Sequence, residues 1–524
     1  MYLRIKKSGP RQYLQIVESA WVDGASRQRV LATLGRLDEL QARGEVDGLM
    51  RHLGRFAQRA RLVEDWAAGS VEAVAQSRIG PARVFERLWQ ETQIGPTLRS
   101  LLDGRRFDFP LERAVFLSVL HRLFEPGSDR QAERWRGDCR IDGAEELQLH
   151  HLYRAMRWLG EERERIEQAL FARRRTLFTE GELVFFDTTS IYFEGEGGQT
   201  LGRRGHSKDH RPDLPQMVVG AVMDADGRPI SAPMWPGNRA DVTTLEPVVH
   251  DLRERFGIRR FVIVADRGMI RKETVERFEG LRPAQPYILG VRMRRQKEVS
   301  HQVLGRAGRY QEVADNLHVK EVRLGDRRYV VCRNPEEAER DAAVRRAILE
   351  GLQEKLKSAP GALIGNRGYR RFVSVRRGAV VLDEAKIEAD ARYDGKFVLR
   401  TNTDFSAEEV ARRYKELWRV ERIFRDTKSL LDTRPVFHHF DATICGHVFV
   451  SFLALLLRHE LDQRQAGCAT KAEWADIRRD LDALEEIEVR HDGRRYWLRT
   501  PIREAAVAAF RAAGVAIPPT LREA

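Results

Sequence analysis

The stretch between residues 183 and 293 constrains the fold of this chain most, because short apolar runs alternate there with helical patterns. The apolar runs, which turns separate, are Leu183–Phe186, Met217–Met223, Pro229–Trp235, Phe261–Ala265 and Tyr287–Val291. Helical spacing appears near Val242–Phe256 and Lys272–Phe278. Three strands, a helix, a strand, a helix and a strand predict a mixed α/β sheet.

Two aspartates stand at the ends of these apolar runs. Asp187 follows Leu183–Phe186, and Asp266 follows Phe261–Ala265. Ligands collect at the carboxyl edge of the strands in an α/β sheet, and a buried carboxylate needs a compensating charge. A divalent metal would compensate each aspartate, and so would a salt bridge or a helix-capping role. The residues alone leave these alternatives open.

A long helix is predicted from Ser406 to about Leu431, where Ser406 and Glu409 form a capping box. At about 100° per residue, one stripe of this helix presents an acid flanked by aromatic and basic side chains. Its members are Tyr414, Trp418, Glu421, Arg425 and Lys428. The neighbouring stripe is apolar and consists of Leu417, Val420, Phe424 and Leu431. Glu421 is therefore a candidate ligand, and an exposed charged face with Glu–Arg pairs is the alternative.

Composition favours a soluble, cytoplasmic protein that binds polyanions. The 524 residues suffice for roughly three or four domains. Lys and Arg number 91 against 78 Asp and Glu, with a pI of about 9.7, which favours nucleic acid as a partner or reflects solvated arginines. The four cysteines lie far apart, as in proteins of a reducing cytosol. The uncharged run at 443–457 is short for a membrane span, so we expect a buried helix and no membrane. A GxxxxGK[ST] loop is lacking, so no nucleotide cofactor is expected.

Two further groups of basic residues are candidates for DNA contact. Arg370 and Arg371 interleave with aromatic residues on a predicted strand, and Lys208 and Arg211 lie in the loop after the first core strand. Basic side chains neutralise phosphates, although arginines also protect edge strands from aggregation. Trp235 at the end of its run is a candidate for stacking on a displaced base, and a core position is the alternative.

The joint pattern resembles the ribonuclease-H-like core of DDE transposases, specifically those of bacterial insertion sequences of the IS-four type. The matching motifs are Phe-Phe-Asp187-Thr-Thr-Ser, Ala-Asp266-Arg-Gly and Tyr414-x2-Leu417-x3-Glu421-x6-Lys428. The segments His206–Gln216, Pro236–Asp241 and Asp394–Asn402 also look like family segments. The resemblance covers about residues 180 to 460. One departure is Leu417, where the signature usually has Arg, so one phosphate contact falls to Arg419 or Arg425 or is missing.

Alternating spacing near the N-terminus and helical spacing after it, together with the layout of the resembled family, predict a domain order along the chain. A small β-meander (1–36) precedes a helical region (37–180) that we expect to bind DNA by analogy of layout, and a purely structural bundle is the alternative. The catalytic core is expected in two parts, 181–295 and 404–462, with a β-rich insertion (296–403) between them. A helical tail (463–524) is expected to serve assembly.

The resemblance also implies a chemistry. Asp187, Asp266 and Glu421 would act as the catalytic carboxylates and hold two Mg²⁺ ions, for which Mn²⁺ would substitute. Tyr414 and Lys428 would hold DNA phosphates, and Arg267 would do likewise or pair with Asp266. The expected partners are duplex DNA, as terminal inverted repeats and target, and a second copy of the chain on DNA. A nuclease without strand transfer and an inactive DNA-binding relic are the alternatives.

Overall fold

A computed structural model describes residues 2–22, 25–46, 48–49, 71–173, 182–269, 271–358, 371–376, 379–468, 470–491 and 494–523. The chain forms two compact units. The first comprises Met1–Arg78, Ala483–Ile502 and Ile517–Ala524, and the second comprises Ile79–Asp482 and Arg503–Ala516.

The described chain contains runs of successive strands and runs of successive helices. The strands are β1 (Tyr2–Ser8), β2 (Arg11–Val22), β3 (Ala25–Arg36), β4 (Val71–Arg78), β5 (Glu182–Tyr192), β6 (Gln216–Met223), β7 (Pro229–Ser231), β8 (Met234–Pro236), β9 (Phe261–Ala265), β10 (Tyr287–Val291), β11 (Gln311–Ala314), β12 (Leu317–Leu324), β13 (Arg327–Arg333), β14 (Val373–Arg376), β15 (Ala379–Leu382), β16 (Lys396–Thr401), β17 (Glu485–His491), β18 (Arg494–Arg499) and β19 (Leu521–Glu523). The helices are α1 (Leu37–Ala42), α2 (Gly80–Glu91), α3 (Ile94–Leu102), α4 (Leu111–Phe124), α5 (Asp129–Asp138), α6 (Leu149–Ala172), α7 (Leu245–Glu254), α8 (Lys272–Gly280), α9 (Pro335–Ser358), α10 (Glu384–Ala391), α11 (Ala407–Lys415), α12 (Trp418–Arg425), α13 (Asp441–Ala466), α14 (Trp474–Asp482) and α15 (Glu504–Ala513).

The first unit contains two antiparallel sheets. Strands β1, β2 and β3 form the meander expected near the N-terminus. The second sheet has the order β19-β18-β17-β4, so β4 pairs with a strand some four hundred positions later in the chain. The prediction that 37–180 is helical is wrong at Val71–Arg78, and the prediction of a helical tail is wrong at Glu485–His491 and Arg494–Arg499, because these strands pair with one another in this sheet.

The second unit is built on one mixed sheet with the order β11-β12-β13-β16-β10-β9-β5-β6-β7, and β8 also pairs with β6. Strands β5, β6 and β7 are antiparallel, whereas β9 is parallel to both β5 and β10. The expected β-rich insertion is not separate from the core, because β16 pairs with β10 and with β13 and so extends the same sheet. Only β14 and β15, of the described strands in 296–403, form a sheet of their own.

Both faces of the central strands are buried, which explains why their sequences are continuous apolar runs. On β9, Phe261, Ile263 and Ala265 pack with residues of α7 and α8. Val262 and Val264 pack on the opposite face with residues of α11 and α12. Side chains alternate along a strand, so Asp187 shares the face of Phe185, which packs in the cluster of α11 and α12.

The helical segment after Ser406 begins as expected but does not run unbroken to Leu431. Ser406 and Glu409 make both hydrogen bonds of the capping box. Helix α11 ends at Lys415. The backbone hydrogen bonds of Glu416 and Leu417 then reach back three residues, as in a 3₁₀ turn, and α12 leads into a π-helical turn at Asp426–Leu430. The predicted single stripe is therefore interrupted between Tyr414 and Trp418.

A buried arginine joins the N-terminal helices to the end of this segment. Arg122 of α4 donates hydrogen bonds to the carbonyl oxygens of Leu431 and Asp432, each at 3.2 Å, and its guanidinium lies 3.3 Å from His447 Nδ1 on α13. Helix α13 is long and apolar enough to cross a membrane, but most of it is buried in the protein, as expected of a core helix.

Candidate active site

Asp187 and Asp266 lie side by side at one edge of the parallel strand pair. The last register pair between β5 and β9 is Phe186 with Ala265, and each aspartate is the next residue of its chain. The sequence suggested that Asp187 ends its strand. In the structure β5 continues through residues 188–192, which pair with β6. The two carboxyl groups predicted to meet are brought together.

Tyr414 reaches this edge from α11. Its hydroxyl donates a hydrogen bond of 2.9 Å to Asp266 Oδ1. Burial and the charge of Asp266 raise the pKa of the phenol well above its usual range, so it remains a hydrogen-bond donor. Gly290 of β10 permits this approach, because a Cβ at that position would collide with the tyrosine hydroxyl.

Asp241 supplies a third carboxyl group that the sequence reasoning did not assign. Thr188 Oγ1 donates to Asp241 Oδ1 at 2.9 Å, and Lys208 Nζ lies 3.2 Å from Asp241 Oδ2. A Cβ built on Gly268 would lie 4.0 Å from Oδ2 of both Asp241 and Asp266, so these two oxygens face one point. The resemblance of the segment Pro236–Asp241 to a family segment was the signal that could have pointed to Asp241, but no role was assigned to any residue of that segment.

The electrostatics of this edge favour a bound cation. The pKa of the Asp187 carboxyl is raised to about 6, mainly by burial and further by the charges of Asp266 and Asp241, against the opposing effect of Lys208. A carboxylate in such surroundings gains from a nearby positive charge. Oxygen ligands of this kind suit Mg²⁺, so Asp187 and Asp266 fit the expected metal.

Glu421 is not brought to the two aspartates by any contact in the described structure. It lies exposed on α12, which packs on β5 and β6. Within the described residues, no group of three or more His, Cys, Asp and Glu side chains is arranged to hold a metal ion. The role of Glu421 as third ligand therefore stays a prediction.

Comparisons with known proteins decide the family. Residues 179–457 match the family model described as "Transposase DDE domain". The chain belongs to the DDE transposases. Residues 3–66 match "IS1634 family transposase, N-terminal domain", so the transposase is one of an insertion sequence family.

The transposase also has a distant likeness among solved structures. A cryo-EM structure of a piggyBac transposase synaptic complex with hairpin DNA is 9% identical, with a TM-score of 0.38 and coverage of 77% of this chain and 79% of that chain. No curated protein matches the transposase.

Lys428 is placed in an internal ion pair. Its Nζ lies 2.6 Å from Asp209 Oδ1, and Arg434 pairs with the same oxygen. Lys208, on the same loop as Asp209, donates to Thr188 O at 2.7 Å. Contact of Lys428 with a DNA phosphate is not tested by this arrangement and stays a prediction.

The other predicted DNA contacts lie at varied places. Arg425 and Arg267 are exposed, and Arg211 pairs with Asp213 at 2.9 Å. Exposed Arg371 lies with its guanidinium 4.5 Å from the Phe372 ring centroid, whereas Arg370 lies outside the described residues.

Two side chains of the signature region have packing or backbone partners. Trp235 is half-buried and packs edge-on against Phe186, which favours the core alternative for this residue. Leu417 is buried in the apolar cluster, as expected, and Arg419 donates to the carbonyl of Ala225. Arg419 is thus engaged by a backbone carbonyl in this structure.

In the DNA cleavage proposed below, Tyr414→Phe should lower the rate about tenfold, because a hydrogen bond to a charged group contributes about 1.5–3 kcal/mol and orients Asp266. The predicted contact of Tyr414 with a DNA phosphate would show separately, as a loss of DNA affinity. Gly290→Ala should reproduce the loss of rate while keeping the hydroxyl, since the added methyl group displaces it. Single-turnover nicking and DNA titration measure both effects. A full-rate Gly290→Ala enzyme would contradict the positioning role of this contact.

Proposed function

We propose that the transposase cuts DNA at the ends of its insertion sequence and joins the freed 3′ ends to target DNA by in-line displacement at phosphorus. The observation that carries the proposal is the pairing of Asp187 and Asp266 at the end of the β5–β9 ladder, where burial and shared negative charge call for cations. The family membership supports it.

The proposed core is ribonuclease-H-like. Its support is the strand order β7-β6-β5-β9-β10, in which three antiparallel strands precede two parallel ones along the chain. Helix α12 packs on β5 and β6, on the face that Asp187 shares. This arrangement supports placing Glu421 beside the aspartates once metal is bound.

In the proposed mechanism, Asp187, Asp266 and Glu421 would hold two Mg²⁺ ions, or Mn²⁺ in their place. When bound there, the ions would supply activation of the nucleophile and stabilisation of the leaving oxygen. Tyr414 holds Asp266 in place through its hydroxyl. Lys208 neutralises Asp241, which keeps the third aspartate from repelling the DNA backbone.

A strand-transfer assay tests the proposal. The substrate is a duplex that carries the terminal inverted repeat of the element, with Mg²⁺ or Mn²⁺ and a circular target. We expect nicking at the repeat end followed by joining of its 3′ end to the target. Hydrolysis without joining would instead show a nuclease, and binding without cleavage would show a DNA-binding relic.

We further propose that the transposase acts as a homodimer on DNA in the cytoplasm. Synapsis of two element ends by a pair of identical active sites supports a closed, twofold assembly. Light scattering of the protein with and without repeat DNA measures the oligomer.

A further inference from the structure

The loop between β5 and β6 inserts two opposite charges into the proposed active site. Lys208 Nζ lies 3.2 Å from Asp241 Oδ2 and 2.9 Å from Thr188 Oγ1. The next residue, Asp209, presents its carboxylate to Lys428 and Arg434. The loop therefore places the Lys208 ammonium beside the active-site aspartates and the Asp209 carboxylate between the cations of Lys428 and Arg434.

Asp209 is crowded in a way that a purely structural carboxylate seldom is. Its side chain is 5% exposed, and both cations are bound through Oδ1. Its Oδ2 is buried without a hydrogen-bond partner among the described residues. An unsatisfied buried acceptor is unfavourable, so the carboxylate of Asp209 is not optimally bound in this ion cluster.

The backbone beside Asp209 is also constrained. His210 has a φ of 57°, in the left-handed region that residues other than glycine seldom adopt. The preceding peptide is fixed by Lys208 N–H, which donates to Ser190 Oγ at 2.8 Å. On the other side of Asp209, Arg211 N–H donates to Ser207 Oγ at 3.1 Å, so contacts on both sides hold the loop in this conformation.

The cations around Asp209 form a group that suits a phosphate. Lys428 and Arg434 share Asp209, and the guanidinium groups of Arg434 and Arg211 lie 5.7 and 5.5 Å from the Tyr192 ring centroid. Without Asp209 these cations would repel one another in a partly buried place. An anion with several acceptor oxygens would satisfy them better than one carboxylate oxygen does.

We propose that Lys428 and Arg434 form a binding site for a DNA backbone phosphate, and that Asp209 occupies this site as an internal substitute until DNA displaces it. The inference rests on the proposed function, because it takes DNA as the ligand. It adds Arg434 as a phosphate contact and Asp209 as an autoinhibitory residue.

DNA binding by Asp209→Asn tests the proposal. The probe is a fluorescent duplex with the terminal repeat, titrated in EDTA at several salt concentrations so that no cleavage occurs. Asp213→Asn is the matched control, because it removes the same charge from the same loop at an exposed pair with Arg211. We expect Asp209→Asn to bind about five- to twentyfold tighter than the control, with a salt slope steeper by about one to two.

Equal affinities and slopes for the two variants would overturn the proposal, and so would weaker binding by Asp209→Asn, which would make Asp209 a support for Lys428. Arg434→Gln gives an independent test that holds even where Asp209→Asn fails to fold. It should lower the salt slope of the otherwise intact protein by about one. An unchanged slope would place Arg434 off the phosphates.

The outcome is separable from that of the proposed function. Normal strand transfer together with equal DNA binding by Asp209→Asn and Asp213→Asn would exclude only the proposal that Asp209 substitutes for a phosphate. Tighter binding by Asp209→Asn in a protein that never cleaves would remove the catalytic proposal alone.

Discussion

Asp187→Asn should abolish metal-dependent DNA cleavage and, in EDTA, should make the transposase more stable near neutral pH. The loss of cleavage should be about a thousandfold or more, because an amide cannot replace a carboxylate that holds metal. The gain in stability follows from the raised pKa of about 6 at this side chain, which marks an unfavourable charge in the folded protein.

The pH dependence of that gain has a definite sign. Between about pH 4 and about pH 6 the folded protein binds more protons at Asp187 than the unfolded chain does, so the free energy of unfolding falls as pH rises through this window. The asparagine variant lacks this loss. Relative to the unsubstituted protein, its free energy of unfolding should be higher by about 1–2 kcal/mol above pH 6 and almost equal below pH 4. This range allows for solvent around a half-buried side chain.

Thermal denaturation at both ends of the window, together with a nicking assay, measures the two effects. Asp213→Asn is the control, because its exposed carboxylate pairs with Arg211 and has a lowered pKa. The control should not become more stable at neutral pH and should still cleave DNA. A destabilised Asp187→Asn protein at neutral pH would contradict the charge balance described for this site.

Glu421→Gln should lower cleavage about a hundredfold or more, with DNA affinity and thermal stability almost unchanged. Glu421 is exposed and lies midway in sequence between Tyr414, which contacts Asp266, and Lys428, which contacts Asp209. Helix α12, which bears Glu421, packs on β5 and β6, so we expect bound cations to draw this side chain toward the aspartates. Removing one metal ligand should reduce the rate of the chemical step far more than binding.

Glu416→Gln is the matched control for Glu421→Gln. Glu416 lies in the step between α11 and α12, and its carboxylate is 3.9 Å from Arg419. It should keep full activity in the same single-turnover assay. Equal rates for the two variants would exclude Glu421 as a ligand and would direct attention to Asp241 as the third carboxylate.

The sequence predicted the parts of the site that depend on local pattern. Asp187 and Asp266 follow apolar runs buried on both faces, and parallel pairing then brings the two aspartates together. The capping box at Ser406 likewise depends on residues three positions apart, and both of its hydrogen bonds form. The apolar runs and the capping box need no knowledge of the rest of the chain, whereas the meeting of the two aspartates was predicted from the resemblance to a known core.

Features that depend on distant partners escaped prediction. Val71–Arg78 contains alanine and polar residues, and it becomes a strand because Glu485–His491 pairs with it. The sharing of Asp209 by Lys428 and Arg434 joins residues more than two hundred positions apart. The helix breaks between Lys415 and Trp418, although Leu417 and Val420 both pack in the apolar cluster as the helical wheel predicted, and a uniform wheel cannot represent such a break.

The buried guanidinium of Arg122 has a consequence for modular exchange between related transposases. Because it holds the carbonyls of Leu431 and Asp432, the helices from α2 to α6 help to shape the segment that bears Lys428. A chimera that replaced these helices together with the N-terminal sheets would remove this support. A graft of the N-terminal meander should therefore end before Val71, which keeps β4 with β17 and keeps α4 with the segment that bears Lys428.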